Sequence, residues 1–185
     1  ELDDLHAEFL SDSRGSITIV YTNQNGQGEN VPSGHSFLAG RLGKFVGTIV
    51  LDNDTVQAGF GIRTQRNGPV AGVPPSVSDG ATHWSTITAD GSQWQFFTDS
   101  AGPLPTAVGS GKNTGHWFGV NSSYEELTLG GFVLRDGTSQ GMGWVGDIAE
   151  VLIYDHVLTN TERTAVDEYV KAKYFDLSVS PLVVS

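Results

Sequence analysis

The chain has 185 residues, 38% of them hydrophobic, with 24 glycines and no cysteine. Ten basic against 21 acidic side chains leave a formal charge of −11, which opposes a phosphate backbone or an anionic membrane surface as a partner. Lack of cysteine excludes disulfides, thiolate metal sites and a thiol nucleophile, and no run of 18 apolar residues could cross a bilayer as a helix.

This length suits a single domain with one sizeable core. The first residue is Glu1 rather than Met and no basic-then-apolar leader opens the chain, so the expected setting is a processed or excised piece of a longer protein.

Strand-like runs alternate with glycine and polar turns along most of the sequence. Residues 16–22 alternate apolar and polar with period two, and the amide-rich stretch 23–30 reads as an exposed loop. Residues 45–51 and 57–63 flank Asp52-Asn53-Asp54, a turn-forming triplet, which predicts a hairpin. A second loop is expected over 69–80, strands over 84–89 and 94–98, a Gly/Ser/Pro-rich span over 101–115, and another strand over 127–134. Many short strands separated by turn signals predict an all-β sandwich or barrel.

The C-terminal third is the most informative part. The apolar run Ile148-Ala149-Glu150-Val151-Leu152-Ile153-Tyr154 follows Gly146-Asp147 and turns at Asp155-His156. Thr159-x-x-Glu162 then has the form of a capping box opening a helix. Val166, Tyr169, Val170 and Tyr174 recur at helical spacing and predict an apolar stripe against a sheet, with Asp167, Glu168 and Lys171 on the opposite side. Beyond the helix, residues 175–180 alternate like one more strand, followed by Pro181-Leu182-Val183-Val184.

This ending, closing on Tyr169-Val170-Lys171-Ala172-Lys173-Tyr174, resembles that of LamG-like modules of the concanavalin A-like lectin/glucanase superfamily. Upstream, residues 91–97 and 127–131 are similar to the two antiparallel strands that precede the family's final strand and helix. The resemblance implies a two-sheet antiparallel jelly-roll sandwich over residues 1–174, one short C-terminal helix, and a tail strand over 175–185. It also implies extracellular or cell-surface residence and a sugar-binding, ligand-binding or spacing role. Relatives typically carry additional strands before the point where this chain begins and end near the Lys-Tyr pair. The tail is therefore expected either to fill a sheet edge within its own chain or to pair with a neighbouring copy.

Catalytic constellations are scarce. Jelly-roll glycoside hydrolases place acids as E-x-D-x-E or E-x-D-x-x-E on one strand, and related alginate lyases use Gln-x-His; none of these occurs. Glu125 and Glu126 are adjacent, so a strand would send them to opposite faces. No H-E-x-x-H or P-loop is present. The chain is therefore expected not to be an enzyme.

Sugars present apolar C–H faces rimmed by hydroxyls, so their sites combine exposed aromatic platforms with amide and carboxylate partners. Trp84 and Trp117, the latter beside His116, are the candidate platforms; Trp94 and Trp144 are expected in the core. Asn23 and Gln24 open the amide-rich loop and are the candidate polar partners. Asp52 and Asp54, two apart in extended backbone, are candidate ligands for a structural calcium, the metal best matched to abundant oxygen donors. A noncatalytic carbohydrate-binding or lectin-like module is the expected function. The alternative is a structural or adhesive subunit that assembles through its sheet edge and tail.

Overall fold

The computed structural model describes residues 14–23, 35–42, 45–52, 55–61, 66–67, 79–99, 102, 126–131 and 144–175. Nine strands and one helix lie within them: β1 (Gly15–Thr22), β2 (His35–Leu42), β3 (Phe45–Asp52), β4 (Thr55–Gly61), β5 (Arg66–Asn67), β6 (Thr82–Ala89), β7 (Trp94–Thr98), β8 (Glu126–Leu129), β9 (Ile148–Tyr154) and α1 (Asn160–Tyr174). The strands form a four-stranded sheet in the order β7-β6-β1-β9 and a five-stranded sheet in the order β5-β4-β3-β2-β8. The ladders are antiparallel, and the architecture is an all-β jelly-roll sandwich with one short C-terminal helix.

β1 is central in its sheet and buried on both faces. Its odd-numbered positions Ile17, Ile19 and Tyr21 pair with Ile87, Ser85 and His83 of β6, and Phe96 of β7 extends the Ile17–Ile87 row. Ile17, Ile19, Tyr21 and Ile87 are fully buried, so this face is the apolar interior of the layer. At strand spacing the even-numbered positions take the other face, with Ser16, Thr18 and Val20 opposite Thr88, Thr86 and Trp84. Here α1 packs: Val166, Val170 and Leu158 form one cluster with Val20 and Trp84, with Leu152, Tyr154 and Tyr174 against it.

The helix begins as its sequence predicts. The Thr159 hydroxyl accepts from the Glu162 amide at 3.3 Å, and a Glu162 carboxylate oxygen accepts from the Thr159 amide at 2.8 Å, a complete capping box. Ser16 staples the preceding turn to the sheet, its Oγ accepting from Leu158 N–H at 2.9 Å and donating to the His156 carbonyl at 3.0 Å. Gly146, at φ +138°, is required by close approach as well as by conformation, because a Cβ there would collide with the Thr22 carbonyl oxygen.

Several expectations need revision. Asp167 is buried rather than on the solvent side of α1, and Tyr169, expected in the apolar stripe, is 44% exposed. Phe175 belongs to the helix end and not to a tail strand: its amide donates to the Lys171 carbonyl at 2.9 Å and its ring lies 5.0 Å from that of Trp84. Residues 176–185 lie outside the described residues. The 91–97 and 127–131 segments contribute β7 and β8 to different sheets. β2 carries no period-two signal, because HSFLAGRL contains small and glycine residues that blur any alternation.

Candidate functional site

Three side-chain networks surround the four-stranded sheet. The first fastens α1 to it. Trp84 Nε1–H donates to Asp167 Oδ1 at 2.9 Å, and Arg163 Nη1 donates to Asp167 Oδ2 at 3.3 Å. The Arg163 guanidinium lies 4.2 Å from the centre of the Phe97 ring. The buried carboxylate is thereby matched by two donors, as a buried charge must be.

The second network is on the outer side of the helix seam. Glu150 Oε1 accepts from Tyr169 Oη at 2.9 Å and from Lys173 Nζ at 3.0 Å, while Oε2 accepts from Tyr174 Oη at 3.1 Å. Partial burial disfavours the Glu150 charge, but the donors from Lys173, Tyr169 and Tyr174 outweigh it and hold the carboxyl below its ordinary range. The Lys-Tyr pair of the sequence signature thus ties the end of α1 to β9.

The third network occupies the end of the sheet where β1 finishes and β6 starts. His83 Nδ1 lies 2.7 Å from Asp99 Oδ2 and Nε2 lies 2.9 Å from Asp79 Oδ1. Burial opposes the His83 charge, yet the bonds to Asp79 and Asp99 prevail and raise its pKa. Asp79 is lowered chiefly by its bond to His83. With both ring nitrogens taken up by carboxylates, neither is left to abstract a proton from a ligand.

Of the expected sugar-binding residues, Trp84 and Asn23 lie among the described residues. Trp84 is 6% exposed, its N–H held by Asp167 and its ring flanked by Phe175 and Lys171, so its indole serves the helix seam and offers no platform. Asn23 is buried to 1% and its carbonyl accepts from Gly80 N–H at 3.1 Å, which places it in the folded end of the sheet and not in an exposed loop. Trp117, His116, Gln24 and Asp54 lie outside the described residues. Asp52 closes β3 and pairs directly with Thr55, so the expected hairpin is present with a two-residue connection. Among the described residues no group of three or more His, Asp or Glu side chains is arranged to hold a metal.

Two strings have the form of catalytic motifs. Gly137-Thr138-Ser139-Gln140-Gly141 has nucleophile-elbow spacing and lies outside the described residues. Gly141-Met142-Gly143-Trp144-Val145-Gly146 has dinucleotide-loop spacing, but it leads into strand β9 where that motif needs to open a helix, so the context fails.

The backbone register of the five-stranded sheet separates its residues into two sets. Rows Leu127–Gly40–Gly47–Phe60 and Leu129–Leu38–Ile49–Ala58–Asn67 alternate with rows Glu126–Arg41–Val46–Gly61 and Thr128–Ala39–Thr48–Gly59–Arg66. By register the first set is mainly apolar and the second mixes charged, hydroxyl and small residues; Leu129, at the end of the first set, is 44% exposed.

No protein-family model matches the chain, and no curated protein matches it. Solved structures do. The chain is similar to the CBM40 of a Ruminococcus gnavus IT-sialidase, solved by itself and bound to α2,3- and α2,6-sialyllactose. Identity is 19%, the match covers 85% of this chain and 84% of that one, and the TM-score is 0.61 for both complexes. It is similar to a native heptameric SAP-like pentraxin from Limulus polyphemus at 12% identity, covering 88% of this chain and 71% of that one with a TM-score of 0.57. Domains LG4-5 of the mouse laminin α1 chain match at 15% identity and a TM-score of 0.52, over 80% of this chain and 37% of that one. All three are jelly-roll, lectin-like folds, and this chain shares that fold.

Proposed function

We propose that the chain is a noncatalytic, LamG-like carbohydrate-binding module of an extracellular or cell-surface protein, and that its sugar-binding surface is the polar face of the five-stranded sheet with the loops at its rim. One observation carries the location: among the described residues Val166 and Val170 of α1, with Leu158 just before it, pack on Val20 and Trp84, so that face of the four-stranded sheet is taken and the other layer is the one proposed to meet the ligand. The backbone register places Arg41, Thr48, Arg66 and Thr128 in one set of positions of that layer, together with Gly59, Gly61 and Ala39. The CBM40 likeness, seen with sialyllactose, supports a glycan as ligand. Trp117, His116 and Gln24 remain candidates for the loop rim, with Trp117 as the stacking platform.

A glycan microarray of neutral and sialylated oligosaccharides tests the reading, followed by calorimetry on the best ligand with Trp117→Ala, Arg66→Ala and, on the helix side, Tyr169→Phe. Loss of about tenfold or more in affinity for the first two, worth about 1.4 kcal/mol each, with Tyr169→Phe unchanged, is the expected result. Absence of any glycan ligand, or loss only in the helix-side variant, would overturn it. Assembly through the tail makes a different prediction. β9 is the last strand in its sheet among the described residues, and light scattering would then show oligomers that vanish when the chain ends at Tyr174.

A further inference from the structure

We propose that Asp79, His83 and Asp99 form a protonation-dependent latch that fastens the chain entering β6 to the chain leaving β7. The inference is independent of the glycan reading.

His83 sits at the start of β6 and is 7% exposed, yet both of its ring nitrogens are within 3 Å of a carboxylate oxygen. Only the imidazolium can donate to both at once; neutral imidazole turns one lone pair toward an anion. Asp99 is the one described non-glycine residue at positive φ, +51°, a conformation that needs support from its surroundings. The support is a ring of bonds: its amide donates to the Trp84 carbonyl at 3.1 Å, its Oδ1 accepts from Trp84 N–H at 3.1 Å, and its Oδ2 meets His83. Asp79 is similarly seated, accepting from Ala81 N–H at 2.8 Å, while the next residue, Gly80, donates to the Asn23 carbonyl.

Four chain segments therefore meet at this end: the exit of β1 at Asn23, the entry of β6 at residues 79–81, the exit of β7 at Asp99, and the entry of β9 at Asp147, whose carbonyl accepts from Thr22 N–H at 2.9 Å. His83 is the cationic rivet between two of them. Among the described residues the titratable groups facing it are Asp79, Asp99 and Tyr21 of β1, whose ring centre is 6.1 Å away and whose hydroxyl bonds to Ser85 at 3.1 Å.

Charge sets the window. The His83 pKa is raised in the fold, so its contribution is fully present below the ordinary histidine value and is lost as pH rises through the folded value. The Asp79 pKa is lowered, so its share is present above the ordinary carboxylate value and is lost only as pH falls through the depressed one. The latch is closed between these limits and opens on the alkaline side.

The test is a ring ¹⁵N–¹H titration of His83 by NMR in the intact chain and in Asp79→Asn, with melting temperatures of both across pH 5 to 9. Asp79 is half exposed and Asn retains the acceptor for Ala81, so this variant should fold. The expected results are a His83 midpoint above that of free histidine, a downward move of that midpoint in Asp79→Asn, and a melting-temperature gap of roughly 2–4 °C at pH 6 that closes as His83 deprotonates. A midpoint at or below the free value, or a gap constant across the range, would overturn the proposal.

Discussion

The two faces of the four-stranded sheet are both buried but are held by different forces. The interior face is Ile17, Ile19, Ile87, Phe96 and Trp94, where area removed from water dominates. The helix face mixes Val20, Val166 and Val170 with Ser16, Asp167 and a Thr18–Thr86 hydroxyl pair at 2.8 Å, each polar group matched to a partner. Apolar contacts tolerate sliding; directional bonds do not. The interior face thus supplies most of the stability, and the helix face supplies the register in which α1 must sit.

Substitutions on either face can break this comparison. The largest loss is expected for Ile87→Ala, about 2–5 kcal/mol in denaturant unfolding, because it empties a fully buried site that cannot fill. Asp167→Ala should cost about 1–3 kcal/mol by stranding the Trp84 N–H and the Arg163 guanidinium. Adding Trp84→Phe to it should cost less than the sum of the two single changes, since the stranded donor is gone. Thr159→Ala removes the helix cap and should cost about 1 kcal/mol, with thermal unfolding as the readout. If Asp167→Ala cost nothing, the claim that the helix face is fixed by polar bonds would fail.

The same contrast explains what the sequence revealed. Period-two alternation announces β1, the Asp52-Asn53-Asp54 turn signal announces the β3–β4 hairpin, and the Thr159-Glu162 box announces the start of α1, because all three are local patterns. The burial of Asp167 is not legible in the sequence, since an acid on an amphipathic helix ordinarily faces water and only the arrival of Trp84, 83 residues upstream, makes its burial favourable. Trp84 reads as a sugar platform for the same reason: its partners, Asp167 and Phe175, are remote in sequence. The His83 network joins residues 4 and 16 positions apart and carries no recognised motif. A buried histidine flanked by acids at loop boundaries is the one signal that could have exposed it.

The central claim is that α1 closes one sheet and leaves the other to bind sugar. Amide chemical-shift mapping on the ¹⁵N-labelled chain, titrated with the best glycan from the microarray, tests it most directly. The account predicts perturbations concentrated in β2–β5, β8 and their connecting loops, with α1 and β9 unmoved. Perturbations centred on Glu150, Tyr169, Lys173 and Tyr174 would contradict it and move the binding surface to the helix side.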